Sequence, residues 1–312
     1  MLTASDLKGL MAMMPAFATD NAADINARDT VDVARLHHGV DRMLADGADV
    51  ISTTGSFGEC HTLLPDELRT LAHETVAAAR KRAPIFIGVT SPNSRETVER
   101  IKMIADSGAD GVLMGVPNYF PSSLRNAIRF YADVGALFPK LNIMIYHNPA
   151  LHHVRLPVEA VEEILKNPAV VAMKDSHRTE EEFEHLHRLA AGRLSVFVFQ
   201  GQYASYSKIG AAGFWSIDAW MGPQPQLALR DAVRRGDDAR AREATADICP
   251  PVTSAPDLSW RETASKIAVR MAGYVNPGPL RPPFVEIPDE VTARMAQRVK
   301  RWKGLCEKYR RG

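Results

Sequence analysis

The sequence predicts an α/β fold: a (β/α)8 barrel of the TIM type with a C-terminal helical extension. Three observations predict it. Apolar runs of strand length alternate with helical windows from residue 10 to about residue 217. A helix end, a glycine, a tight turn and a strand recur in that order at 45–50, 105–110 and 209–214. Eight strand candidates fit into about 210 residues, the size of one barrel. A doubly wound sheet is the alternative, but no GxGxxG follows the first strand.

The strand candidates are 10–16, 50–54, 85–90, 111–116, 143–146, 170–174, 195–200 and 213–217. Each is a nearly continuous apolar run, as strands buried on both faces require. The first includes the Met-rich run Leu10 to Met14, which is short and lacks a basic n-region, so it reads as a strand and not a signal peptide. Between strands, 65–82 places Leu68, Leu71, Ala72, Val76 and Ala79 on one helix face, with Pro65 in the first turn. The window 94–107 turns Val98, Ile101 and Ala105 inward and stops at Gly108. The window 180–189 opens on a capping box of Thr179 and Glu182. After residue 222 the pattern is purely helical: 224–235, 238–247, 259–273 and 289–308. In the last of these, Val291, Met295, Val299, Trp302 and Cys306 share a face. The Pro-rich segment 276–283 is a stiff loop. No linker separates the parts, so residues 1–222 form the barrel and 223–312 an extension packed on it.

Composition narrows the function. The 312 residues are 46% hydrophobic and carry a net charge of +1, from 38 basic and 37 acidic side chains. No basic stripe suggests nucleic acid, and Lys300-Arg301-Trp302-Lys303 reads as a solvated helix face. No 18-residue apolar stretch suggests a membrane span. Cys60, Cys249 and Cys306 are sparse and odd in number, which fits a reducing cytosol and a cytoplasmic protein. No cysteine or histidine spacing suggests a metal, and the adjacent His152 and His153 read as surface or pocket rim.

A barrel places its chemistry at the C-terminal ends of its strands. Strand six ends at Lys174, with an apolar floor beneath it. Desolvation disfavours an ammonium there, and the neutral amine attacks a carbonyl. The plainer reading is a solvated lysine paired with Asp175, since most lysines stay exposed. Strand two ends at Gly55-Ser56-Phe57-Gly58-Glu59, whose glycines free the backbone to cup a carboxylate, or form an ordinary turn. Strand five ends at Tyr146-His147-Asn148-Pro149, where a phenol relays protons or is simply buried. Strand eight carries Trp215, which by itself reads as packing. An amine, a phenol and an anion cup at one mouth suit Schiff-base chemistry on a 2-oxo acid.

At these residues the chain resembles the dihydrodipicolinate synthase/N-acetylneuraminate lyase family of pyruvate-dependent class I aldolases. The likeness covers nearly the whole chain. It rests on the glycine loop 55–59, the tyrosine motif 146–149 and Lys174 lying 28 positions after Tyr146. The resemblance implies that Lys174 forms an imine with a pyruvyl group. Ser56 and the Phe57 amide hold its carboxylate, Tyr146 relays protons, and Glu59 is structural. Leu151 stands where the synthase branch has an arginine, and Ser56-Phe57 replaces its Thr-Thr pair. The pattern is more similar to the hydratase-aldolases of aromatic catabolism, in which Asn148 and Trp215 position water and an aryl group. Asn276 on the Pro-rich loop is expected to reach the same pocket. Pro117-Asn118-Tyr119-Phe120 lacks the Met-Trp pair of the naphthalene-pathway enzymes, which leaves the aryl substituent open. Tyr119 also matches a second tyrosine of the synthases, one that crosses a subunit interface.

The resemblance implies an aldehyde-lyase that cleaves a substituted benzylidenepyruvate to an aromatic aldehyde and pyruvate. It implies no metal and no organic cofactor, and a homo-oligomer, commonly a tetramer. Two alternatives stay open. One is another pyruvate lyase, such as a dihydrodipicolinate synthase-like enzyme or a sugar-acid lyase or dehydratase. The other is a non-catalytic regulator that binds an oxo acid. Phe57, Leu151, Phe214 and Trp215 point to an apolar partner instead of a sugar.

Overall fold

In the computed structural model, residues 1–250 and 261–310 are described. Eight parallel strands close into a barrel in chain order. They are β1 (Gly9–Met13), β2 (Val50–Ser52), β3 (Ile85–Gly88), β4 (Gly111–Met114), β5 (Asn142–Tyr146), β6 (Val170–Lys174), β7 (Ser195–Phe199) and β8 (Gly213–Ser216). The helices within and after the barrel are α1 (Val33–Asp46), α2 (Pro65–Ala79), α3 (Ser94–Ile104), α4 (Leu124–Leu137), the short α5 (Pro149–His152) and α6 (Val158–Ile164). They continue as α7 (Glu180–Ala190), the short α8 (Tyr203–Tyr206), α9 (Gln224–Arg234), α10 (Asp238–Ile248), α11 (Arg261–Ala272) and α12 (Asp289–Arg310).

Alternation along each strand sorts the core into two layers. Met11, Met13, Phe86, Leu113, Met144, Ala172, Phe197 and Trp215 fill the barrel interior. Their neighbours Leu10, Ala12, Ile87, Val112, Ile143, Ile145, Met173 and Phe214 face the helices. All eight expected strands form, each ending earlier or in the same place. The three glycines of the repeated turn, Gly47, Gly108 and Gly210, all adopt a left-handed φ, of 107°, 79° and 104°. A side chain with a Cβ is strained there, so the recurrence in sequence is a recurrence in backbone geometry.

Helix details differ in instructive ways. The Thr179–Glu182 capping box forms as expected. α2 stops at Ala79 and not at 82, because Arg80 and Lys81 turn left-handed. α3 buries Thr97, Ile101 and Ile104 in place of Val98 and Ala105. That face is chosen by Thr97, whose hydroxyl bonds Ser91 and the Asn93 carbonyl. On α12, Val291, Val299, Trp302 and Cys306 are buried as expected, while Lys300, Arg301 and Lys303 are exposed. The expected helix 259–273 has its first two residues outside those described.

α9 packs on β1, and its Arg230 and Arg234 pair with Asp49 at 3.0 and 2.8 Å. It is the outer helix of the eighth unit. A division at residue 222 therefore separates this helix from the barrel it closes. The remaining helices dock on the same side. Trp302 Nε1 donates to the Gly222 carbonyl at 3.0 Å, and α11 packs on the turn Asp218–Met221. Among the described residues, no helix is long and apolar enough to cross a membrane.

Candidate active site

β5 and β6 pair with Tyr146 opposite Lys174. Both side chains point into the barrel, and Lys174 is buried. Its Nζ lies 3.7 Å from the centroid of the Trp215 ring and 4.7 Å from that of Tyr146. The aromatic faces flank the amine on two sides. Asp175 does not face the amine's side of the sheet, and both its carboxylate oxygens are engaged by His147 and Arg178. The reading of Lys174 as a solvated partner of Asp175 therefore fails.

The Tyr146 hydroxyl is 3.0 Å from Ser56 Oγ, and Asn148 Nδ2 donates to it at 3.4 Å. Two polar groups from two strand ends thus meet at one phenol. The phenol faces a cavity of about 340 Å³. Ser56, Phe57, Asn118, Asn148, Leu151 and His152 line it from the barrel, and Thr263, Lys266, Leu280 and Phe284 from the extension. Lys174 and Trp215 are not in that wall; Tyr146 stands between the amine and the cavity.

Asn276 does not join this group. It is exposed, and its Oδ1 accepts from the Gly278 amide at 3.1 Å, capping the loop locally. The same loop sends Leu280 and Phe284 inward instead. The histidine pair is also split. His153 is exposed, whereas His152 is buried with its ring edge-on to Tyr146, centroids 4.9 Å apart. Burial holds its imidazole neutral, with a pKa pushed down to about 3. Its neighbour rules explain Gly115: a Cβ there meets the His152 ring at 2.2 Å. Tyr119 and Phe120, next to Asn118, form an exposed edge-to-face pair.

The loop after β2 holds its shape differently from the glycine-based expectation. The left-handed residues are Thr54 and Glu59, with φ of 44° and 53°. Gly58 is there for close approach, since a Cβ meets the Thr54 backbone nitrogen at 2.5 Å. A buried charge cluster fixes the strained end. Lys266 of α11 and Arg281 of the Pro-rich loop reach Glu59 at 2.5 and 2.9 Å. Arg281 also donates to Thr30 Oγ1 at 2.7 Å. Burial pulls Lys266 down to about 8, against the opposing pull of Glu59. Sequence reading missed this cluster; its one signal is a lysine amid Ala264, Ala268 and Val269 on an apolar helix face. Glu59→Ala strands two buried cations and is expected to cost roughly 3–5 kcal/mol in urea unfolding. A loss under about 1 kcal/mol would show that the cluster does not hold the loop. Among the described residues, no group of three or more His, Cys, Asp or Glu is placed to hold a metal ion.

A family profile, the dihydrodipicolinate synthetase family, matches residues 14–302. The chain belongs to that family. Across 322 aligned residues it is 32% identical to a trans-O-hydroxybenzylidenepyruvate hydratase-aldolase of Pseudomonas aeruginosa, over 99% of this chain and 96% of the relative. It is 29% identical to a trans-2'-carboxybenzalpyruvate hydratase-aldolase of Nocardioides sp. strain KP7, with the same coverage. Among solved structures it is similar to PhdJ bound to a substrate intermediate. The TM-score is 0.92 at 28% identity, covering 99% of both chains. Within the family, then, the fold of this chain follows that of PhdJ over its whole length.

Proposed function

We propose that the chain is a class I hydratase-aldolase that cleaves a substituted benzylidenepyruvate to an aromatic aldehyde and pyruvate. The observation that carries this is the Lys174–Tyr146–Ser56 line beneath an apolar cavity. The Lys174 amine condenses with the substrate ketone, releasing water and forming an imine. Protonated, the imine draws electrons through the conjugated alkene. Water adds at the benzylic carbon, positioned by Asn148. Tyr146 takes the proton of the new hydroxyl, and the C–C bond breaks with its electrons moving into the imine. The aldehyde leaves. The enamine is protonated at carbon and hydrolysed to pyruvate and free amine. The iminium is the electron sink, so the cycle needs no metal and no organic cofactor. Ser56 and the Phe57 amide hold the pyruvyl carboxylate at the cavity end nearest Tyr146.

The wall beyond it supports an aromatic partner. Phe57, Leu151, Leu280 and Phe284 are apolar. The names of the two relatives above point the same way. A synthase-like reading is weaker, because Leu151 lines the cavity where that branch carries an arginine. As part of the same proposal the protein is a cytoplasmic homotetramer, following the family habit. The test is an ultraviolet assay of condensation with pyruvate. Salicylaldehyde and 2-carboxybenzaldehyde are expected to react at least tenfold faster than aspartate semialdehyde or mannosamine. A preference for either of the last two overturns the aromatic assignment.

A further inference from the structure

His147 and Asp175 directly follow the two residues at the centre of the proposed site. Strand alternation turns them to the opposite face, behind the barrel wall. There Nδ1 of His147 lies 2.9 Å from Asp175 Oδ1, and Nε of Arg178 lies 2.7 Å from Oδ2. Arg178 Nη2 donates to the Leu156 carbonyl at 2.7 Å. The Leu156 amide in turn donates to His147 Nε2 at 3.1 Å. These contacts close a circuit. Because Nε2 accepts, the ring proton sits on Nδ1, within ion-pair distance of the carboxylate although the N–H is not aimed straight at it. His147, Asp175 and Arg178 are only 2%, 2% and 5% exposed.

The circuit is anchored on three sides. The His147 amide donates to the Lys174 carbonyl at 3.0 Å, tying β5 to β6. The Asp175 amide donates to Phe197 on β7 at 3.0 Å, and the Tyr206 hydroxyl to the Arg178 carbonyl at 2.8 Å. Burial pushes the Asp175 carboxyl upward, but the His147 contact and the Arg178 charge outweigh it and hold the group ionised, at about 2.

We infer that His147, Asp175 and Arg178 are positioning residues for the reaction, locking Tyr146 against Lys174 and cancelling a buried charge beside the amine. The inference rests on Lys174 being the imine-forming residue. Two observations carry it. The β5–β6 pairing shifts register between Ile143 and Met144, so the register that sets Tyr146 opposite Lys174 is carried by the short run Met144–Ala172, Ile145–Met173 and Tyr146–Lys174 beyond the shift. A one-residue slip turns an inward side chain outward, and the circuit lies just beyond the shift, where it pins the register. Secondly, Asp175 is a buried anion one residue from an amine that must lose its proton to react. Unpaired, such a charge at roughly 10 Å holds that proton over about one more pH unit. Arg178 removes this penalty. The other groups around the pair do not replace it. The Tyr146 and Trp215 rings face the amine, and His152 and His177 lie within electrostatic reach. Arg155 and Glu182 pair with each other outside the circuit at 2.7 Å.

The test measures the rate of borohydride trapping with pyruvate against pH, together with kcat and KM, on the full chain. In Arg178→Met the acid limb of trapping is expected to move up by about one pH unit, and kcat to fall at least tenfold while KM changes less. Asp175→Asn leaves the guanidinium uncancelled, so its limb moves down. The double variant Asp175→Asn/Arg178→Met returns the limb to its wild-type position but keeps the low kcat, because the lock is still broken. Should Arg178→Met fail to fold, Asp175→Asn and Arg178→Lys decide: the first shifts the limb, the second keeps it and lowers kcat. Wild-type trapping at Lys174 with unmoved limbs in the single variants overturns the inference alone. No trapping at Lys174 in the wild type overturns the imine reading and this inference together.

Discussion

Borohydride added to the protein and pyruvate is expected to attach a reduced pyruvyl group to Lys174, and Lys174→Arg to abolish both trapping and turnover. The arginine keeps a cation between the Trp215 and Tyr146 rings, where Nζ now lies at 3.7 and 4.7 Å. What it lacks is a nucleophilic amine. Loss of a covalent nucleophile is expected to lower kcat by roughly 10⁴-fold or more. Peptide mapping is essential, because another buried lysine, Lys266, lies in the cavity wall itself. Burial pulls Lys266 down to about 8, which favours its amine form more than in an exposed lysine. Its Nζ is held by Glu59 and by the Pro279 carbonyl at 2.7 Å, which ties it into the wall. The adduct therefore maps to Lys174 alone. An adduct on Lys266, or none on either peptide, would end the proposed mechanism.

Tyr146→Phe retains the ring and loses one hydroxyl. The edge-on contact with His152 and the face toward Lys174 survive, so folding is expected to be unchanged. The contact with Ser56 Oγ at 3.0 Å is lost, and with it the path for the aldol proton. General acid–base groups contribute typically 10²–10⁴-fold, so kcat should fall by at least about a hundredfold. The melting temperature serves as the control. An unchanged melting temperature with turnover within about threefold of wild type removes Tyr146 from the relay.

The barrel and its central pair were legible in the chain for a simple reason. Parallel strands are buried on both faces, so they write themselves as apolar runs, and a charged or phenolic residue at the end of one stands out. Lys174 after Val170-Val171-Ala172-Met173 is such a residue, and so is Tyr146 after Ile143-Met144-Ile145. The repeated glycine turn marked the strand starts for the same kind of reason, since one backbone conformation excludes most residues. The cavity's outer wall was not legible. Leu280 and Phe284 reach it and Asn276 does not, although all three sit on one Pro-rich loop. No periodicity runs through such a loop to say which side chains turn inward. His152 was read as rim because adjacent histidines look alike in sequence, and only packing against Tyr146 separates it from His153.

The order of residues by itself determined eight parallel units, the ends at which chemistry gathers, and a lysine and a tyrosine at two of them. These follow from short-range rules of burial, alternation and turn geometry. Tertiary structure decided what required distant segments to meet. It brought Lys266 and Arg281 to Glu59, closed the cavity with the extension, and joined His147, Asp175 and Arg178 behind the wall. Charge pairing across hundreds of residues depends on where the closed barrel carries each segment, and no local pattern records that.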